Sequence, residues 1–304
     1  MTRPHPWEPQ PACQTLPVRM VITGAGGQVG RLLAAEAARQ GYRVHTLTHR
    51  DLDITDPAAT RDQVGDGDLV VNCAAFTNVD AAEAQPEVAH AVNAVGPGNL
   101  ARACAAAGAR LVHISTDYVF SGEFGGQPPR PYEISDACAP LSVYGRTKLD
   151  GELAVHAELP DAHVVRTSWV YTGGSGNDFV AAMRGLAATD RTVDMVADQT
   201  GSPTYAADLV GALLQIAAGG ITAPILHAAN AGAASRFDQA QAVFAALGAD
   251  PERIRPVGTD AVPRPARRPV YSALTMAESV RAGLTPLRPW RAALAAALAI
   301  PSTP

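Results

Sequence analysis

Tyr144 and Lys148 stand four residues apart in PLSVYGRTKLDGE, residues 140–152. On a helix this spacing puts both side chains on one face, one above the other. An ammonium beside a phenol favours the phenolate and lowers its pKa, which suits a proton donor. Taken alone, the pair fits a surface tyrosine with a charged neighbour equally well. A third group comes from ARLVHISTDYVFSG, an apolar run that ends at Ser115 and Thr116. As a strand of a parallel sheet, that run brings Thr116 to the carboxyl end, where such sheets bind ligands. Hydroxyl, phenol and ammonium form the set needed to protonate an alkoxide made by hydride addition to a ketone. Tyr144 would give the proton, and Lys148 would lower its pKa and bond a cofactor ribose. Thr116 would orient the carbonyl oxygen. Without the other two, Thr116 reads as a strand-end cap.

A hydride source is indicated by VITGAGGQVGRLL, where Gly24, Gly27 and Gly30 are spaced three apart between an apolar run and a helical pattern. Such glycines permit a tight turn and close approach of a pyrophosphate to the backbone, while the following helix N-terminus supplies amide donors. The motif is weak by itself; its place after the first strand of an alternating pattern favours dinucleotide binding over an ordinary turn. At the end of the second strand stand Thr48, His49 and Arg50, with Asp51 just beyond. The missing acid at Thr48, together with Arg50 and Arg31, favours NADPH slightly over NADH. Asp53 could accept the adenine amino group.

These groups need a scaffold, and the chain supplies one. RMVIT, YRVHTL, DLVVNCAA, ARLVHIS and AHVVRTSWVY read as strands. GRLLAAEAARQG, GPGNLARACAAAG and YGRTKLDGELAVHAEL read as helices between them. Strands apolar almost throughout, separated by helices, predict an α/β fold: a Rossmann-like, doubly wound parallel sheet covered on both faces. We expect a flexible tail over residues 1–17, a dinucleotide-binding domain over 18–171, and mostly a smaller substrate-binding lobe over 172–304. Elements near 206–230, including DLVGALLQIAAG and PILHAAN, should return to the main sheet. The uncharged stretch after Asp208 is broken by Gly219, Gly220 and Pro224, so it reads as helix, turn and strand and not as a membrane span.

Composition narrows the function classes. Among 304 residues, 47% are hydrophobic and 17% charged, and the formal net charge is -5. That balance fits a globular chain and offers no general attraction to nucleic acid or an anionic membrane. Cys13, Cys73, Cys104 and Cys138 lack metal-ligand or CxxC spacing and read as reduced thiols of a cytoplasmic protein. The start of the chain, dense in proline, lacks the apolar run of a signal peptide.

TGxxGxxG, NCAA, STDYVF and YxxxK, in that order, resemble the extended short-chain dehydrogenase/reductase superfamily. VNCAAFTNVDAAE, VNAVGPGNLA, HISTDYVFSG, YGRTKLDGE, VRTSWVY, DQTGSPT and PARRP are similar, within it, to the dTDP-4-dehydrorhamnose reductases, from about Met20 to Leu298. The resemblance implies reduction of the C4 ketone of dTDP-4-dehydro-β-L-rhamnose by NADPH or NADH. It implies that Gly27, Gln28 and Val29 wrap the pyrophosphate, that Asp53 and Ile54 flank adenine, and that Ala75, Phe76 and Thr77 run along the cofactor. Thr116, Asp117 and Trp169 would face the sugar nucleotide, with the Trp169 ring over an apolar sugar face. Arg264, Arg267 and Arg268, clustered in PRPARRP, would suit a diphosphate through paired donors, although a solvated basic loop is as good a reading. Mg2+ is described for some family members; Leu32 stands where an acidic ligand would be expected, so no metal ligand is assigned. The expected partner is the nucleotide sugar, with the chain a monomer or homodimer.

Three other functions share this scaffold. An epimerase keeps the tyrosine and lysine and regenerates its cofactor. A 4,6-dehydratase would place a second acid after Asp117, where this chain has Tyr118. A non-catalytic regulatory subunit like the methionine adenosyltransferase beta subunit shares several motifs. The intact Thr116, Tyr144 and Lys148 set favours catalysis.

Overall fold

A computed structural model describes residues 18–174 and 177–299. The expected tail at 1–17 and Cys13 lie outside the described residues. The central strands are β1 (Arg19–Thr23), β2 (Arg43–Leu47), β3 (Leu69–Asn72), β4 (Arg110–Thr116), β5 (His163–Thr167) and β6 (Ile225–His227). The principal helices are α1 (Gln28–Arg39), α2 (Gly96–Ala107), α3 (Val143–Glu158), α4 (Phe179–Ala187), α5 (Ala206–Ala218) and α6 (Arg236–Ala246).

The six strands form one sheet in the order β6-β5-β4-β3-β1-β2, and each neighbouring pair is parallel. Parallel neighbours require a crossover, and the alanine-rich segments provide it as helices. Strand alternation sends Ile22, Val71 and Val112 to one face, where Leu33 of α1 and Leu209 and Leu213 of α5 cover them. Val21, Val70 and Val164 go to the other face, under Leu100 and Cys104 of α2 and Val155 of α3. Growth of the sheet reverses between β1 and β3, which opens a crevice at the strands' carboxyl ends. From the C-terminal third, β6 pairs with β5 and α5 packs beside α1. A separate cluster gathers Tyr171, Met183, Phe244, Trp290 and Leu294. Among the described residues no helix is long and apolar enough to cross a membrane.

One expected strand is interrupted. AHVVRTSWVY divides into β5 and a two-residue strand, Val170–Tyr171, which pairs with Thr204–Tyr205. The break falls at Trp169, whose φ of +47° is incompatible with an extended ladder. Apolarity alone marked the run as continuous; the left-handed residue turns the chain out of the sheet and into the cleft.

Helix α3 carries Tyr144 and Lys148, and it lies unusually close to its neighbours. Ser142 caps it, its Oγ accepting from the Gly145 amide at 3.1 Å. A Cβ on Gly145 would overlap the Tyr118 carbonyl, and one on Gly151 would overlap the Asn93 carbonyl. Asn93 sits in a π-helical turn, Ala91–Val95. Farther along, Glu152 meets Arg166 of β5 through bonds from Nε (3.0 Å) and Nη2 (2.7 Å), both side chains being 3% exposed. Ser115 of β4 donates to the same carboxylate at 2.5 Å. Removing one partner would strand a buried charge. Glu152→Ala should therefore destabilise the fold by about 3–5 kcal/mol, read from urea unfolding midpoints; a change below about 1 kcal/mol would show that the pair does not hold α3 in place.

Candidate active site

A cleft of about 980 Å³ opens at the carboxyl ends of the strands. Its floor begins with the glycine turn. Gly24 has φ +64°, and a Cβ there would come within 2.5 Å of the Ala74 amide at the end of β3. A Cβ on Gly30 would come within 2.6 Å of the Gly24 carbonyl. These two contacts draw β1, β3 and α1 together, which larger residues would forbid. Gly27 caps α1 without a side-chain bond, and no acid lies in the first turn. The early amides of α1, together with Gln28 and Val29 on the cleft wall, are thus suited to an anionic pyrophosphate.

Toward the second strand, Asp53 and Ile54 line the cleft. Thr55 fixes Asp53 by donating from its amide (2.9 Å) and hydroxyl (2.8 Å), and these bonds hold the carboxyl below its usual range. Arg50 is exposed and does not line the cleft; His49 does. Asp51 is occupied locally, accepting from the Thr48 amide (2.9 Å) and hydroxyl (2.6 Å). Ala75, Phe76 and Thr77 follow β3 along the opposite wall. Asn93 clamps this loop, its Oδ1 accepting from the Phe76 amide at 2.8 Å while its Nδ2 donates to the Phe76 carbonyl and to Thr147, each at 3.1 Å. The clamp ties the cofactor wall to α3 one residue before Lys148. Nothing in the local pattern of VNAVGP announces this role.

Thr116, Tyr144 and Lys148 all line the same cleft. Their couplings differ from the sequence expectation. Burial drives the Tyr144 phenol well above its usual value; hydrogen bonding with Thr116 acts in the opposite direction, and the charge of Asp117 adds to the rise. Lys148 is not what sets this acidity. Its Nζ donates to the Ile114 carbonyl at 2.7 Å and lies 3.3 Å from His113 Nε2. Helical spacing aligns the two Cβ atoms, but the long lysyl chain turns back to β4. Burial pulls the ammonium down to about 8, opposed by Glu152. Beneath it, Asn72 Nδ2 donates to His113 Nδ1 at 2.9 Å, and Asn72 Oδ1 accepts from Thr23 at 2.7 Å. This buried row crosses three strands under the lysine.

On the substrate side, Asp117 is 2% exposed. Burial raises its carboxyl to about 6, against hydrogen bonds from Ser272, Ser168 and Thr116; Ser272 Oγ donates at 2.6 Å. Trp169 lines the cleft, and its ring has close neighbours. A Cβ on Gly201 would overlap the indole, and the Arg236 guanidinium lies 3.6 Å from the ring centroid. The surface expected to cover a sugar is thus covered by arginine. Arg236 was missed in the sequence because ASRFDQA reads only as a helix start; it caps no pattern and adjoins no other basic residue.

The PRPARRP arginines do not line the cleft, although Arg268 lies close behind Tyr118, which does. Arg268 donates to both oxygens of Asp80, at 2.5 and 2.8 Å, and Arg264 reaches the same carboxylate at 3.4 Å. Arg267 is exposed, 3.7 Å from Glu123. Neither Arg267 nor Arg268 lines the cleft, because the loop's charge is taken up by acids distant in sequence. Among the described residues no group of three or more His, Cys, Asp or Glu side chains could hold a metal, and Cys73, Cys104 and Cys138 are free thiols.

Residues 18–302 match the RmlD substrate binding domain family. A dTDP-4-dehydrorhamnose reductase of Mycolicibacterium smegmatis is 61% identical, over 94% of this chain and 90% of that protein. One from Mycobacterium tuberculosis is 61% identical over 93% of each. The crystal structure of the Bacillus anthracis dTDP-4-dehydrorhamnose reductase in complex with NADP is 34% identical, with a TM-score of 0.84 over 91% of this chain and 97% of that one. On the strength of the family match and the 61% identity, this chain belongs to the dTDP-4-dehydrorhamnose reductase family.

Proposed function

We propose that this chain reduces the C4 ketone of dTDP-4-dehydro-β-L-rhamnose to dTDP-β-L-rhamnose, with NADPH, or NADH, as the electron donor. The observation that carries the reading is the convergence of Thr116, Tyr144 and Lys148 with the glycine turn on one cleft. The names of the relatives support the substrate, and the NADP bound to the Bacillus anthracis enzyme supports the cofactor. The glycine contacts at Gly24 and Gly30, with the bare N-terminus of α1, fit a dinucleotide pyrophosphate.

When bound, the reduced nicotinamide supplies a hydride to the ketone carbon. Tyr144 then protonates the oxygen. A phenol held high by burial keeps its proton at neutral pH and releases it only to a stronger base, which the nascent alkoxide is. Thr116, which lines the cleft with Tyr144 and favours its phenolate, is placed to orient the substrate oxygen and to stabilise the phenolate left behind. Lys148, turned back to the Ile114 carbonyl, contributes positive charge to the same cleft. Asp117 opposes phenolate formation, so its protonated form, populated near pH 6, favours proton release.

Three measurements test this reading. Absorbance of each reduced cofactor should fall stoichiometrically when the 4-keto sugar nucleotide is supplied; catalytic cofactor with no net consumption would point to an epimerase cycle instead. Tyr144→Phe should lower kcat by about 10²- to 10⁴-fold while cofactor affinity, measured by fluorescence titration, stays within about twofold. Unchanged turnover would remove the phenol from the mechanism, and unchanged biology without any turnover would favour a regulatory subunit. Lys148 is cationic below its pKa of about 8 and neutral above it. The kcat/KM profile should therefore decline above about pH 8, and Lys148→Arg should remove that limb.

A further inference from the structure

Arg236 opens α6 immediately after Ser235, whose side chain and that of Asp238 form a reciprocal capping box. The backbone beneath the arginine is thereby fixed. Its guanidinium lies over Trp169 at 3.6 Å and near the Phe179 ring at 4.8 Å. Its Nη1 donates to a neutral acceptor, Gln239 Oε1, at 3.1 Å. No salt bridge joins it to a carboxylate among the described residues. The surrounding protein lowers its pKa to about 10 by desolvation, with Arg268 acting the same way and Tyr118 and Asp117 acting against.

A half-buried cation without a paired carboxylate is held at some cost. Stacking on an indole offsets part of that cost and holds the guanidinium flat, leaving its in-plane N–H donors to meet an oxyanion as a fork. Arg268 is near enough to add positive potential, but it is already paired with Asp80. The one carboxyl group that acts on Arg236 from the cleft, Asp117, accepts from Ser272 and Thr116 and makes no ion pair with the guanidinium. The cleft therefore presents one preorganised guanidinium beside the sugar-facing residues, with no carboxylate in ion-pair contact among the described residues.

We infer that Arg236, stacked on Trp169, is the cation that receives the diphosphate of the nucleotide-sugar substrate, in place of Arg267 and Arg268. This deepens the reductase reading and rests on it for the identity of the nucleotide. Trp169 then serves as the platform for the arginine and not as a cover for the sugar. Its left-handed backbone, bent out of β5, sets the height of that platform.

The test is calorimetric titration of the full chain, saturated with NADP, using thymidine, thymidine monophosphate and thymidine diphosphate as probes. The diphosphate should bind more tightly than thymidine. Arg236→Gln should weaken diphosphate binding by about 10- to 100-fold and leave thymidine binding within about twofold. Arg267→Gln, outside the cleft, should match the unaltered chain. Equal diphosphate affinity in Arg236→Gln overturns the inference. If that variant does not fold, a crystal structure of the unaltered chain with thymidine diphosphate decides: phosphate oxygens on Arg236 support it, and phosphates on Arg267 or Arg268 alone overturn it. Turnover of the 4-ketone is read separately. Arg236-dependent diphosphate binding without turnover sinks the reductase reading alone, and turnover with an unchanged KM in Arg236→Gln sinks the inference alone.

Discussion

The buried contact between Glu152 and Arg166 joins the helix that bears the proposed acid to the strands that bear its partners. Arg166 belongs to β5, Ser115 to β4 and Glu152 to α3, so one carboxylate gathers three elements. The phenol is eight residues, about two helical turns, upstream on the same rod. Gly145 and Gly151 let that rod approach until backbone touches backbone. A rigid helix seated at both ends leaves Tyr144 little freedom relative to Thr116, which is what a proton transfer over hydrogen-bond distance requires. The ion pair is not an obvious source of net stability, since desolvation consumes much of the attraction. Its contribution here is positional.

Chemistry in the cleft follows from burial more than from charge pairing. Desolvation raises the phenol, raises Asp117 and lowers Lys148, so each group is moved toward its neutral form. Such a site resists separating charge until a substrate oxygen can accept the proton. The same dryness strengthens any hydrogen bond offered to developing negative charge. Arg236 stands apart as a cation kept in this environment by an aromatic surface.

Local features of the chain were readable because they depend on short spacings. Glycines three apart, the YxxxK turn and the apolar runs of the strands each carry their own physical signal, and the parallel sheet follows from their alternation. Contacts between distant segments left no such trace. Asp80 meets Arg268 across 188 residues, which turned an apparently free basic loop into a neutralised one. Trp169 looked like part of a strand because hydrophobicity does not report φ. The direction taken by Lys148 depended on the Ile114 carbonyl, a group that every residue type possesses. Arg236 gave no signal, since a single arginine after a serine is ordinary until an indole is found beneath it.

The position of β6 has a bearing on synthesis of the chain. It completes the sheet by pairing with β5, yet α4 and α5 are made between them. As the polypeptide leaves the ribosome, β5 presents an unsatisfied row of amides and carbonyls until Ile225–His227 arrives. Through that interval the nascent protein has a sticky seam, and a break in translation there would expose it to other chains.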